Sequence, residues 1–124
     1  MHLEILFDTL LLHIHKSKVH RVKLTQANLN YEGSTKIDED LMDAVMLLKG
    51  EKVQRVNNNN SERIEIYIFK GERGSVMVFL NGAAVSKAAV GNISSIMSYP
   101  LMTPEAAKSF KHNTVFPVES NRQN

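Results

Sequence analysis

The sequence predicts a mainly β protein, a small closed or nearly closed barrel of about six or seven short strands with two short helices. Short runs of alternating apolar and polar residues recur between Gly, Asn and Pro turn signals. Strands and helices do not alternate along the chain, so a parallel βαβ sheet is not expected. With 124 residues the chain suits one domain and leaves no room for a second. Closure removes the exposed edges that a small open sheet would leave.

The elements follow in order. The apolar start, MHLEILFDTLLLHIH, reads as an extension over residues 1–15. It lacks a basic leader and a small-residue cleavage site, and Glu4 and Asp8 interrupt it, so neither a signal peptide nor a membrane span is expected. In KSKVHRVKLTQANL, Val22 and Leu24 alternate with Arg21 and Lys23, which marks a strand with one polar face. Asp38 then caps a predicted helix over Asp38–Lys49, with Glu39 and Asp40 favouring its dipole and Gly50 at its C-terminal cap. EKVQRV is a short strand and NNNNS a hairpin tip. RIEIYIFK is the clearest strand: Ile64, Ile66 and Ile68 share one face, and Arg63, Glu65, Tyr67 and Phe69 the other. GERGS is a turn, VMVFL a strand, and Asn81-Gly82 a tight-turn signal. VGN is a turn and ISSIMSY a strand. Thr103-Pro104-Glu105 opens a short helix, with a cap and then proline in its first turn. NTVFPV is the last strand, and residues 119–124 read as a flexible tail after a domain spanning 16–118.

Composition narrows the function classes. A hydrophobic share of 43% is enough for a packed core. The formal net charge of +2 comes from basic residues scattered among acids, which argues against nucleic acid as a partner. The absence of Cys excludes disulfides, zinc thiolates and cysteine nucleophiles. A soluble, cytoplasmic protein is expected. His13, His15 and His20 are close in sequence, but no Cys or carboxylate cluster completes a ligand set, so no metal site is expected. GERGS lacks the Gly-Lys-Ser/Thr ending of a phosphate loop.

Arg63 and Tyr67 stand four residues apart on one strand face. A guanidinium clamps carboxylates and a phenol can donate a proton, yet such a pair alone also describes a solvated face. Gly33-Ser34 alone is a turn. The pieces KSKVHRVKLTQANLNYEGS, IDEDLMDA, RIEIYIF, GERGS and NGAA together resemble the pyruvoyl-dependent aspartate 1-decarboxylases, in order and spacing, across about Lys16 to Val118.

That resemblance implies a double-psi β-barrel that assembles as a homotetramer, and an inactive precursor cleaved between Gly33 and Ser34. The Ser34 hydroxyl would attack the Gly33 carbonyl, and β-elimination of the resulting ester followed by hydrolysis would leave a pyruvoyl group at the new N-terminus. The amide-to-ester shift is uphill, so it needs a pre-aligned, strained turn, which glycine permits. The covalent pyruvoyl cofactor would form a Schiff base with L-aspartate and draw electrons as carbon dioxide leaves, yielding β-alanine for pantothenate synthesis. The resemblance assigns catalytic roles to Ser34 and Tyr67, the latter as proton donor. Lys18 and Arg63 would meet the two substrate carboxylates, Gly82, Ala83 and Ala84 would form a substrate-binding turn, and His20, Tyr31 and Asn81 would support.

The chain departs from the family pattern at Ile66, a substrate-contacting position where the family has threonine. That hydroxyl is thought to donate to the carbonyl of the cleaved glycine, and losing such a donor costs about 10²–10³ in rate. Slow self-cleavage is therefore expected, with a maturation partner as one route to compensation. Asn92 replaces a turn aspartate, and residues 1–9 have no counterpart. The alternative is a non-processing barrel that binds small acids or a protein partner.

Overall fold

A computed structural model describes residues 9–28, 34–81, 90–117 and 121. Among the described residues, the elements with described bounds are ten strands and two short helices: β1 (Leu12–His13), β2 (Ser17–Lys23), β3 (Gln26–Asn28), β4 (Ser34–Asp38), α1 (Glu39–Ala44), β5 (Lys52–Asn57), β6 (Arg63–Gly71), β7 (Val78–Asn81), β8 (Ile93–Ser98), β9 (Leu101–Met102), α2 (Pro104–Ser109) and β10 (Asn113–Val115). Eight strands form one sheet in the order β10-β2-β8-β5-β6-β4-β7-β3, while β1 pairs with β9. The sheet is mixed: β10·β2, β4·β6 and β3·β7 run parallel and the other pairs antiparallel. It curls around one core, in which Val19 and Val22 of β2, Ile37 of β4, Val53 of β5, Ile66 and Ile68 of β6, Val78 and Ile96 meet Leu41, Met42 and Val45. The protein is thus the small mainly β barrel that the strand pattern predicts.

The expected hairpin is present, with β5 and β6 paired antiparallel around turns at Asn58–Asn60. The faces of β6 also follow the prediction: Ile66 and Ile68 are buried and Arg63, Glu65 and Tyr67 exposed. Thr103 caps α2, its side chain accepting from the Ala106 N–H.

Three local readings need correction. The first helix covers Glu39–Ala44, not Asp38–Lys49. After Ala44 the chain turns, with Met46 at φ 61°, so that Val45 and Leu47 both enter the core. Burying two apolar side chains outweighs a further turn of exposed helix. Gly50, at φ 83°, serves the turn into β5 instead of a helix cap. The strand predicted from Val76 begins at Val78, because Val76 has φ 53°. The strand count exceeds six or seven because β1, β3 and β9 have two or three residues each, too few to show alternation, and because β4 lies where the sequence shows a turn and the approach to a helix.

Asp38 anchors the end of β4. It is buried, and its carboxylate accepts from the N–H groups of Asp40 (2.8 Å), Gly74 (3.0 Å) and Val76 (2.8 Å). The N-cap residue therefore also fixes the GERGS turn. Arg73 of that turn reaches Glu39 (2.8 Å), Asp40 (2.5 Å) and Asp43 (2.8 Å) on α1. Within the segment read as a tail, Asn121 is buried. Its amide accepts from Lys23 N–H (2.7 Å) and donates to the Lys23 and Val76 carbonyls (2.9 and 3.2 Å).

Candidate active site

Ser34 is the first residue of β4, between β6 and β7. Its Cα partners are Tyr67 on the parallel side and Asn81 on the antiparallel side. The same rung continues to Lys52 beyond Tyr67 and to Asn28 beyond Asn81. Paired residues on neighbouring strands project to the same face. The half-buried Ser34 side chain therefore lies beside the Tyr67 phenol, which is 52% exposed. Ser34 and Tyr67, 33 positions apart in the numbering, become neighbours through strand register alone.

Arg63 lies four residues before Tyr67 on the same outward face, and its Nη1 donates to Gln54 Oε1 at 2.7 Å. Beside Tyr67, Lys52 and Glu65 form an exposed ion pair at 2.8 Å, whose hydrogen bond favours the charged form of each.

Lys18 and His20 occupy the outward face of β2. Lys18 pairs with Met97, Met97 with Gln54, and Gln54 with Glu65. It thus shares the outward surface with Arg63, but β8 and β5 stand between their strands. A bulge between Val19 and Val22 sets His20 and Arg21 together on this surface, with Arg21 at φ 60° and its N–H donating to Ser95 Oγ (3.1 Å). The His20 ring tilts against Phe116 at 5.2 Å. Partial burial, with Lys18 and Arg21 nearby, holds its imidazole below the ordinary value of 6.5 and so neutral at pH 7.

Ile66 takes the opposite course from its neighbour Tyr67. It faces inward, 6% exposed, paired with Val53 in the core cluster. Gly33, Tyr31, Gly82, Ala83 and Ala84 lie outside the described residues, and of Asn81 the backbone pairing is described.

Neither of two surface hollows belongs to the Ser34 rung's centre. One, of ≈ 580 Å³, lies among Lys16, Leu48, Glu51, Lys52, Tyr99 and Pro100, and one of ≈ 110 Å³ among His13, Lys52, Gln54, Glu65, Met97 and Tyr99. Ser34, Tyr67, Lys18 and Arg63 line neither. The Ser34–Tyr67 pair lies on the outward face of the sheet. No group of three or more His, Asp or Glu poised for a metal occurs among the described residues, and no described helix is long and apolar enough to cross a membrane.

The aspartate decarboxylase family model matches residues 10–124. The chain belongs to the aspartate decarboxylase family. It is 62% identical over 102 residues to an aspartate 1-decarboxylase of Parabacteroides distasonis, covering 82% of this chain and 88% of that one. It is 58% identical over 108 residues to one of Phocaeicola vulgatus, covering 87% and 93%, and 50% identical over 107 residues to one of Acetivibrio thermocellus, covering 86% and 85%. Within this family framework the structure adds one residue that sequence reasoning missed. Arg55 points into the barrel, 2% exposed. The signal was present in KVQRVN, where strict alternation puts Arg55 on the face of Val53.

Proposed function

We propose that this chain decarboxylates L-aspartate to β-alanine and carbon dioxide, using a pyruvoyl group made from Ser34 after the chain breaks between Gly33 and Ser34. The observation that carries the reading is the rung on which Ser34 stands between Tyr67 and Asn81; the relatives named aspartate 1-decarboxylase support it. When present, the pyruvoyl group supplies an electron sink for the departing carboxylate.

The fold suits a break at this point. Ser34 would become a chain end at the head of a strand paired along both sides. Strands before the break pair with strands after it: β1 with β9, β2 with β8 and β10, and β3 with β7. The two fragments would therefore stay together. Tyr67, which pairs with Ser34 across the strands and is exposed, would deliver a proton to the carbon that loses carbon dioxide. Lys18 and Arg63 would each meet a carboxylate of aspartate, from different copies of the chain, since β8 and β5 separate their strands within one. Gly82, Ala83 and Ala84 would complete the substrate-binding turn, with His20, Tyr31 and Asn81 in support. Tyr67 is exposed beside the Ser34 position, and covering it is the role we assign to further copies of the chain in a homotetramer working in the cytoplasm.

Ile66 favours a second reading, a barrel that does not process itself. An inward isoleucine supplies apolar packing and no hydrogen-bond donor. Intact-mass analysis after prolonged incubation separates the two. Two fragments ending at Gly33 and beginning at residue 34, co-migrating on a native gel, support the decarboxylase. A chain that stays whole sinks unaided maturation. Ile66→Thr is expected to speed cleavage by about 10²–10³, and no change would remove Ile66 as the cause of slow processing.

A further inference from the structure

The inward face of β5 carries a charge that nothing described around it neutralises. Arg55 is 2% exposed, and its Nε, Nη1 and Nη2 have no hydrogen-bond partner among the described residues. Its Cα partners are Ile64 and Ile96, and Val53 precedes it on the same face. Burial pushes the guanidinium down to about 10, which leaves it protonated at neutral pH. An unpaired cation in an apolar wall is strongly unfavourable. Among the described carboxylates, buried Asp38 and half-buried Glu51 are committed elsewhere. Asp38 accepts from three backbone N–H groups. Glu51 binds Lys16 at 2.8 Å, the Leu48 N–H at 3.1 Å and the Ser98 hydroxyl.

A second orphan lies on the same face. Ser94 is fully buried, and its Oγ has no partner among the described residues. Ser94 pairs with Asn57, and Ile96 with Arg55, so Ser94 stands diagonally across from Arg55. That separation is about 7–8 Å between backbones, within reach of a long side chain. The buried amide of Asn57 closes this end through Asn92 Oδ1 at 2.9 Å and the Asn59 N–H at 2.9 Å. Two buried donors without acceptors among the described residues, on one face of neighbouring strands, describe a receptor for negative charge. Both side chains are almost fully buried, which restricts an occupant to a small ion.

We infer that Arg55 and Ser94 form an internal binding site for a small monovalent anion of halide size, inside the barrel and separate from the Ser34 rung. The guanidinium supplies charge and a fork of N–H donors, and the serine hydroxyl a further donor. The same negative charge could instead come from a carboxylate of this chain.

Bromide distinguishes the sources. Full-length protein is prepared in a bulky-anion buffer such as gluconate and titrated with bromide at constant ionic strength. The expected result is a saturable rise in melting temperature that Arg55→Met abolishes and Ser94→Ala weakens. In wild-type crystals grown at low millimolar bromide, an anomalous peak should lie within hydrogen-bonding distance of the Arg55 guanidinium. Absence of that peak, or a carboxylate of the chain in its place, overturns the proposal whether or not Arg55→Met folds. So does an equal bromide response in wild type and Arg55→Met. Neither readout depends on cleavage or on decarboxylation.

Discussion

The two faces of β6 are one strand with two unrelated tasks. Inward, Ile66 and Ile68 are buried in the core; outward, Arg63, Glu65 and Tyr67 are exposed. The core face is held by packing among many neighbours, so it tolerates no loss of volume. The outer face acquires meaning from strand register, which sets Tyr67 beside Ser34. Stability and chemistry therefore alternate residue by residue along the same nine positions of β6. Substitutions on the outer face should change reactivity with little effect on folding, and those on the inner face the reverse, Ile66→Thr excepted.

The largest test of that division is Ser34→Ala. It should leave the chain whole and remove all β-alanine formation, while the melting temperature hardly moves; decarboxylation surviving it would refute the mechanism. Next, Tyr67→Phe should lower kcat by about 10²–10⁴ with cleavage and stability retained. A matching loss of thermal stability would break the separation of faces. On the inner side, Ile68→Ala should cost about 2–5 kcal/mol in denaturant unfolding, because Ile68 is fully buried. Asp38→Ala strands backbone donors at Asp40, Gly74 and Val76. It should cost about 1–3 kcal/mol, loosening the α1 and GERGS junction more than the Ser34 end.

The smallest effect concerns pH. Burial, then His112, and more weakly Lys18, lower the His15 pKa, and burial, then Lys18 and Arg21, lower that of His20. A lowered histidine binds its proton more readily in the unfolded chain. Its stabilising contribution is thus complete above the ordinary 6.5 and is lost as pH falls through the folded value. Urea midpoints should decline modestly below about pH 6.5, and His15→Gln should flatten part of that slope. His15 also stacks on His112, 5.1 Å between ring centroids.

Much of the barrel was legible because a half-buried strand writes its two faces into alternate letters. RIEIYIFK, EKVQRV and ISSIMSY did so, and Thr103-Pro104 announced α2 through cap chemistry. Strand β4 was not read, because STKID also looks like the approach to a helix. The early end of α1 was hidden because propensity continues past Ala44 while packing of Val45 and Leu47 does not. Arg55 broke the alternation visibly and was passed over.

The candidate site divides in the same way. Ser34, Tyr67, Arg63 and Lys18 could be named from their order along the chain and the family pattern it resembles. Their residue types set the available chemistry, since a hydroxyl, a phenol and two cations keep those properties in any fold. Which of them meet was decided by register. Pairing of β4 with β6 and β7 joins Ser34 to Tyr67 and Asn81, while β8 and β5 keep Lys18 apart from Arg63. Tertiary structure also buried Ile66 and Arg55 on one inner wall. Alternation is a local property that the sequence carries by itself; distances between strands far apart in the chain exist only once the sheet has curled around its core.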